Sequence, residues 1–272
     1  MSELLKIAFI DNNYSVEHSA TYHLFILEET MDYHMAIFNE ENQLLLALSW
    51  QKHSKQERVQ QLLSTHYSST KIIVNNPHYL LVPKDLYSPT QEEQYLYMLG
   101  VKKDSHQLLV DQITPLNTYG AYTLSVEACT SLEQEFPNFS IYAQHTSLLC
   151  AYQYLHPHTD AACFIHVDDH RITFTYFAQG HLIYHQTQVC EQIDDFSYFI
   201  LAIAQTCKMD WVTTQVYTSG NLDDVHPYAV RLRQYSEQVQ VIDLSTLFSC
   251  NNQDLFQQAH QYLPLFGLLC VS

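Results

Sequence analysis

Two stretches decide the fold: LFILEETMDYHMAIFNEENQLLLAL at 24–48 and CFIHVDDHRITFTYFAQGHLIYHQT at 163–187. Each reads as three short strands, because runs rich in β-branched, aromatic and leucine side chains are broken by polar turns. Asn39-Glu40-Glu41-Asn42 is the clearest turn in the first, and Ala178-Gln179-Gly180 its counterpart in the second. The stretches superpose at an offset of 139 without a gap: Phe25 meets Phe164, Ile26 meets Ile165 and Phe38 meets Phe177. Identity is low, so the pattern carries the match. Both first hairpins have acidic tips, Glu28-Glu29 and Asp168-Asp169.

Working outward, the first meander is followed by a helix over 54–67, strands at 71–76 and 79–87, and a helix at about 90–99. A strand pair at 107–113 and 119–125 comes next. A helix at 126–136, an extended stretch at 139–143 and a helix at 145–155 complete the first half. The second meander is followed by an apolar helix over 193–208, a strand ending at Gly220, a helix at 224–236 and a strand at 239–245. A helix at 252–263 precedes the closing LFGLLCVS. Three antiparallel strands, then alternating helices and strands, occur twice in 272 residues. The predicted organisation is a leader at 1–19, a first lobe at 20–157 and a second lobe at 158–272.

Composition narrows the function. The chain carries 12 Lys plus Arg against 29 Asp plus Glu, a formal net charge of −17. That balance excludes a nucleic-acid binder, which needs a basic surface. No apolar run reaches the length of a membrane span, so no membrane insertion is expected. Seven cysteines, several in apolar runs and with no C-x-x-C pair, read as reduced buried thiols and point to the cytoplasm. Glycine is scarce: five residues, against roughly nineteen at average usage. Neither a G-x-G-x-x-G nor a G-x-x-x-x-G-K-[ST] motif occurs.

The duplicated plan is that of the actin/sugar-kinase/heat-shock ATPase superfamily. From FIHVDDHRITFTYFAQGHLIYHQTQV through QVYTSGNLDD to PLFGLLCVS, the chain resembles the PilM-type, actin-like proteins of type IV pilus assembly. It is more similar still to a bacterial family of unknown function, a divergent member of that group, whose first half YLLVPKDLY also resembles. The resemblance covers about 20–272. It implies an α/β fold of two ribonuclease-H-like lobes, with nucleotide phosphates held between hairpin loops from each half.

The resemblance also implies an acidic residue near magnesium and glycines that let backbone amides approach the phosphates. The matching tips here are Leu27-Glu28-Glu29-Thr30 and Val167-Asp168-Asp169-His170, and the adenosine-side turn maps to TSGNLDD. The acids are present, but Gly220 stands alone. Glu28, Asp168 and Gly220 are therefore the residual cofactor-site positions of a degenerate cleft. No catalytic or metal-ligating residue is assigned and no cofactor is expected.

Other patterns point elsewhere. His156-Pro-His158-Thr-Asp160 has the spacing of a metallo-hydrolase ligand run. It also falls at the junction between the halves, where a polar loop belongs. His166-Val-Asp168 puts two side chains on one face of a strand, which a solvated hairpin tip explains equally. There is no G-x-S-x-G elbow. The leading expectation is a non-catalytic actin-like protein that binds a protein partner and at most weakly a nucleotide. The alternatives are a PilM-like nucleotide-binding ATPase and, behind it, a metal-dependent hydrolase.

Overall fold

The computed structural model describes residues 6–52, 56–76, 78–136, 138–156, 160–222 and 225–271. The strands, in chain order, begin with β1 Lys6–Ile10, β2 His23–Glu28, β3 Asp32–Phe38, β4 Leu44–Gln51, β5 Ser69–Val74, β6 Tyr79–Pro83, β7 His106–Ile113, β8 Thr118–Ser125 and β9 Ser140–Ala143. They continue with β10 Ala161–Asp168, β11 Arg171–Ala178, β12 His181–Val189, β13 Gln215–Gly220 and β14 Val239–Val241. The helices are α1 Glu57–Ser64, α2 Glu92–Met98, α3 Val126–Glu135, α4 Gln144–Leu155, α5 Ile193–Cys207, α6 Pro227–Leu232, α7 Gln253–Gln258 and α8 Leu263–Gly267.

The chain divides into two units. One comprises Met1–Ala151, Ser245–Gln257 and Pro264–Ser272, the other Tyr152–Leu244 and Gln258–Leu263. Residues 1–19 and most of 245–272 thus lie in the first unit, unlike the leader and second lobe expected from sequence. Contacts explain this. Strand β1 pairs antiparallel with β4. Phe248 and Phe266 pack edge-on against buried Phe38. The Lys71 ammonium donates to the Leu268 and Val271 carbonyls.

In the first unit the six-stranded sheet runs β1-β4-β3-β2-β5-β9. Leu24 and Ile26 of β2 face a core shared with Val59 and Leu62 of α1, Leu132 of α3 and Phe136 just after it. This is the alternation a strand buried on one side by helices requires. A separate three-stranded sheet, β6-β8-β7, is inserted between β5 and α3 and adds Tyr122 to the same core. The sequence shows its strands but not that they form a sheet of their own. Gly120 lets this sheet close, because a Cβ there would strike the Tyr79 ring.

In the second unit the sheet runs β12-β11-β10-β13-β14, the order of β4-β3-β2-β5-β9. Cys163, Ile165 and Val167 of β10 pack with Phe196, Ile200 and Ile203 of α5 and Leu232 of α6. The opposite face stacks Tyr152 on Phe164 at 4.2 Å and Phe164 on Tyr217 at 5.1 Å.

The repeat survives at the level of register. His23 pairs with Phe38, and Ala162, 139 residues on, pairs with Phe177. The next strand pair carries an irregularity at matching places, between Ile37 and Phe38 and between Tyr176 and Phe177. After it the gap-free alignment fails. Phe38 pairs with Leu44, but Phe177 pairs with Leu182, so the second turn is one residue shorter. The first turn uses Asn39, whose Oδ1 accepts from the Glu41 and Gln43 amides; the second turns at Gln179 and Gly180 with φ of 52° and 75°. The slip turns β12 over relative to the simple alignment.

Candidate functional site

The acids singled out from sequence lie at strand ends within their own units, and each is already paired. Glu28 closes β2, and its Oε1 lies 2.6 Å from Lys52 Nζ. The same ammonium sits 5.3 Å from the centre of the Tyr33 ring. Tyr33 donates to Glu135 of α3 at 3.2 Å. Burial, then the charges of Glu28 and Glu135, push the Tyr33 phenol upward. Glu29 meets His34 Nε2 at 3.0 Å, and His34 Nδ1 lies 2.6 Å from Ser49 Oγ.

Asp168 closes β10 and accepts from Arg171 of its own hairpin at 2.9 Å. Asp169 takes the left-handed backbone that glycine usually supplies at a tip, with φ of 54°. The pairing register matches Val167 to Glu28 and Asp168 to Glu29, one residue away from the tip alignment expected from sequence. The two units thus present different side chains at equivalent positions.

The structure brings Gly220 beside Asp168, since Gly220 is the register partner of Val167. Its φ is 81°, and a Cβ would lie 2.0 Å from the Val167 carbonyl oxygen. Close strand approach therefore requires this glycine. The following amides are committed inside the unit: Asn221 N–H donates to Val167 O at 2.8 Å and Leu222 N–H to Gly220 O at 2.8 Å. A phosphate cradle needs several amides aimed outward together. Asp223 and Asp224 of TSGNLDD lie outside the described residues.

His156 packs tilted against the Tyr217 ring at 3.9 Å, and burial lowers its pKa against the pull of Asp243. Asp160 is exposed, and His158 lies outside the described residues. Among the described residues no group of three His, Cys, Asp or Glu could hold a metal. Cys150, Cys163 and Cys270 are pushed up to about 12, chiefly by burial, which keeps them thiols. Among the described residues no helix is long and apolar enough to cross a membrane.

Two features of the first unit escaped the sequence reading. Asp111 of β7 is buried and accepts from Ala143 N–H at 2.8 Å, Thr146 Oγ1 at 2.6 Å and Tyr122 OH at 3.1 Å. It ties the inserted sheet to the start of α4. Burial raises its pKa to about 6, although all three hydrogen bonds pull the other way. The signal was a single acid inside the apolar run QLLVDQI. The second feature is an open polar cavity of about 710 Å³ between 9–13 and 251–254. Asp11 there accepts from Asn251 Nδ2 at 2.7 Å. The lining holds carboxamides and acids and no Lys or Arg, so it does not suit a phosphate.

A family described as Protein of unknown function (DUF3822) matches residues 11–239. No curated protein matches the chain. A solved Bacteroides thetaiotaomicron protein, described as having an actin-like ATPase fold and unknown function, superposes with a TM-score of 0.72 at 18% identity, covering 91% of this chain and 98% of that one. The structure titled PilM-PilN type IV pilus biogenesis complex gives a TM-score of 0.61 at 10% identity, over 92% and 98%. At these identities the likeness establishes the fold: two ribonuclease-H-like units of the actin-like ATPase class.

Proposed function

The chain belongs to the DUF3822 family of unknown function, and we propose that within it this protein is a cytoplasmic, non-catalytic actin-like protein that acts by binding a protein partner. The carrying observation is the committed state of the would-be phosphate site. The Asn221 and Leu222 amides donate inside the unit, and Glu28 and Asp168 are each held by a cation of the same unit. A ligand with several negative charges would meet acids there, and the Asn221 and Leu222 amides are already engaged.

A protein-binding role draws support from two sides. PilM, similar in fold, is seen in a complex with PilN. In the inserted segment of this chain Leu86, Tyr97 and Met98 are 70%, 84% and 58% exposed. Large apolar and aromatic side chains left in water are typical of surfaces that meet another protein.

The rival reading, a PilM-like nucleotide-binding ATPase, draws on the retained acids at both strand ends. Calorimetric titration of the full chain with Mg-ATP separates the two. The expected result is no binding tighter than about millimolar. Micromolar affinity, lost in Asp168→Asn, would overturn the non-catalytic reading.

A further inference from the structure

The three sheets have six end strands among the described residues: β1 and β9, β12 and β14, β6 and β7. An end strand offers a row of unpaired N–H and C=O groups, and proteins blunt such edges with shortness, proline, bulges or charge. Five of the six are blunted in this way. β9 has four residues and β14 three. β6 ends in Pro83, and β7 carries the buried carboxylate of Asp111. β1 is five residues long with an irregular register between Ile7 and Phe9.

β12 differs from all of these. It runs nine residues, HLIYHQTQV, without proline or any Lys, Arg, Asp or Glu. Its irregularity lies near the turn, opposite Tyr176 and Phe177, and leaves the rest of the strand regular. None of its residues is buried; Ile183 and Val189 are 49% and 59% exposed. The equivalent strand in the sister sheet, β4, is buried along nearly its whole length and is covered by antiparallel β1.

We propose that β12 pairs antiparallel with β12 of a second copy of this chain, giving a closed two-fold dimer with a sheet continuous across it. Antiparallel self-pairing sets every residue opposite one drawn from the same nine. None bears a fixed charge, so no like-charged pair forms, and Ile, Tyr, Thr and Val are good strand residues. The pairing consumes both open edges, so assembly stops at two. The charge of −17 on each copy opposes approach, and salt screens it. A contact of one strand pair is small, which places its dissociation constant in the micromolar range or above. The proposal is independent of whether nucleotide binds.

Sedimentation equilibrium of the full chain, up to roughly 100 µM, tests it. The expected result is a monomer–dimer equilibrium that tightens between about 0.05 and 0.3 M salt. Ile183→Lys and, separately, Val189→Lys each weaken it at least ~10-fold, while Val16→Lys, at an exposed site of the other unit, does not. Amide hydrogen exchange in β12 slows as the protein is concentrated. A chain that stays monomeric throughout overturns the proposal. So does a dimer indifferent to both β12 substitutions, or growth beyond two copies.

Discussion

The two meanders share a register and differ in what that register carries. β2 pairs with β3 as β10 pairs with β11, position for position. Yet where β2 ends in Glu28, β10 has Val167, and where β5 ends in Val74, β13 has Gly220. Backbone pairing has been kept and side-chain chemistry has not. Sheet hydrogen bonds do not depend on side-chain identity, whereas an ion pair or a close approach depends on particular atoms. The same contrast runs along the outer edges, where β4 is covered and β12 is not.

The sharpest way to break the comparison is at its fourth strand. Gly220 approaches Val167 O so closely that a Cβ cannot fit, while Val74, its counterpart in the sister sheet, is an ordinary buried side chain. Gly220→Ala forces both a left-handed alanine and a backbone shift, which together cost roughly 2–5 kcal/mol. Denaturant unfolding measures it. A loss below about 1 kcal/mol would show that the two strand ends are equivalent after all.

The meanders were legible because strand periodicity and turn residues are local. The observed β2, β3, β10, β11 and β12 lie within a residue or a few of the stretches read from sequence. The slip after Phe177 was not legible, since a one-residue difference in turn length leaves no mark where identity is low. Lys52 lies 24 residues from the Glu28 it pairs with, and nothing local joins them. The return of Phe248 and Phe266 to the first unit is longer in range still. At the site, sequence alone names Glu28, Asp168 and Gly220 but not their condition. Whether an acid is free or paired, and whether an amide points out or in, is set by tertiary geometry.

Asp111 belongs to the sheet that only the first unit carries, and its titration should be absent from a variant that keeps the hydrogen bonds without the charge. Its folded pKa is raised from 3.8 to about 6. The folded chain therefore holds a proton that the unfolded chain releases. This contribution is full below about 3.8 and is lost as pH rises to about 6, a change of about 3 kcal/mol. In Asp111→Asn the amide can donate to Tyr122 OH, which also donates to Ile141 O, while the side-chain oxygen accepts from Ala143 and Thr146. Denaturant midpoints compared from pH 4.5 to 7.5 should show the wild type losing ground to Asp111→Asn as pH rises. A constant difference between the two would refute the buried titration.

The smallest effect separates the two hairpin tips. Lys52–Glu28 leaves 21% and 26% of its side chains exposed, against 33% and 23% for Arg171–Asp168. The first also links residues 24 apart in sequence and adds the Tyr33 ring, whereas the second spans three residues of one hairpin. Partly buried pairs couple more strongly than exposed ones, so a double-mutant cycle on Lys52→Met and Glu28→Gln should give about 1 kcal/mol. The cycle on Arg171→Met and Asp168→Asn should give about half that. If the second coupling matched or exceeded the first, the tips would be electrostatically alike. The divergence between the units would then rest on Gly220 and the open edge of β12 alone.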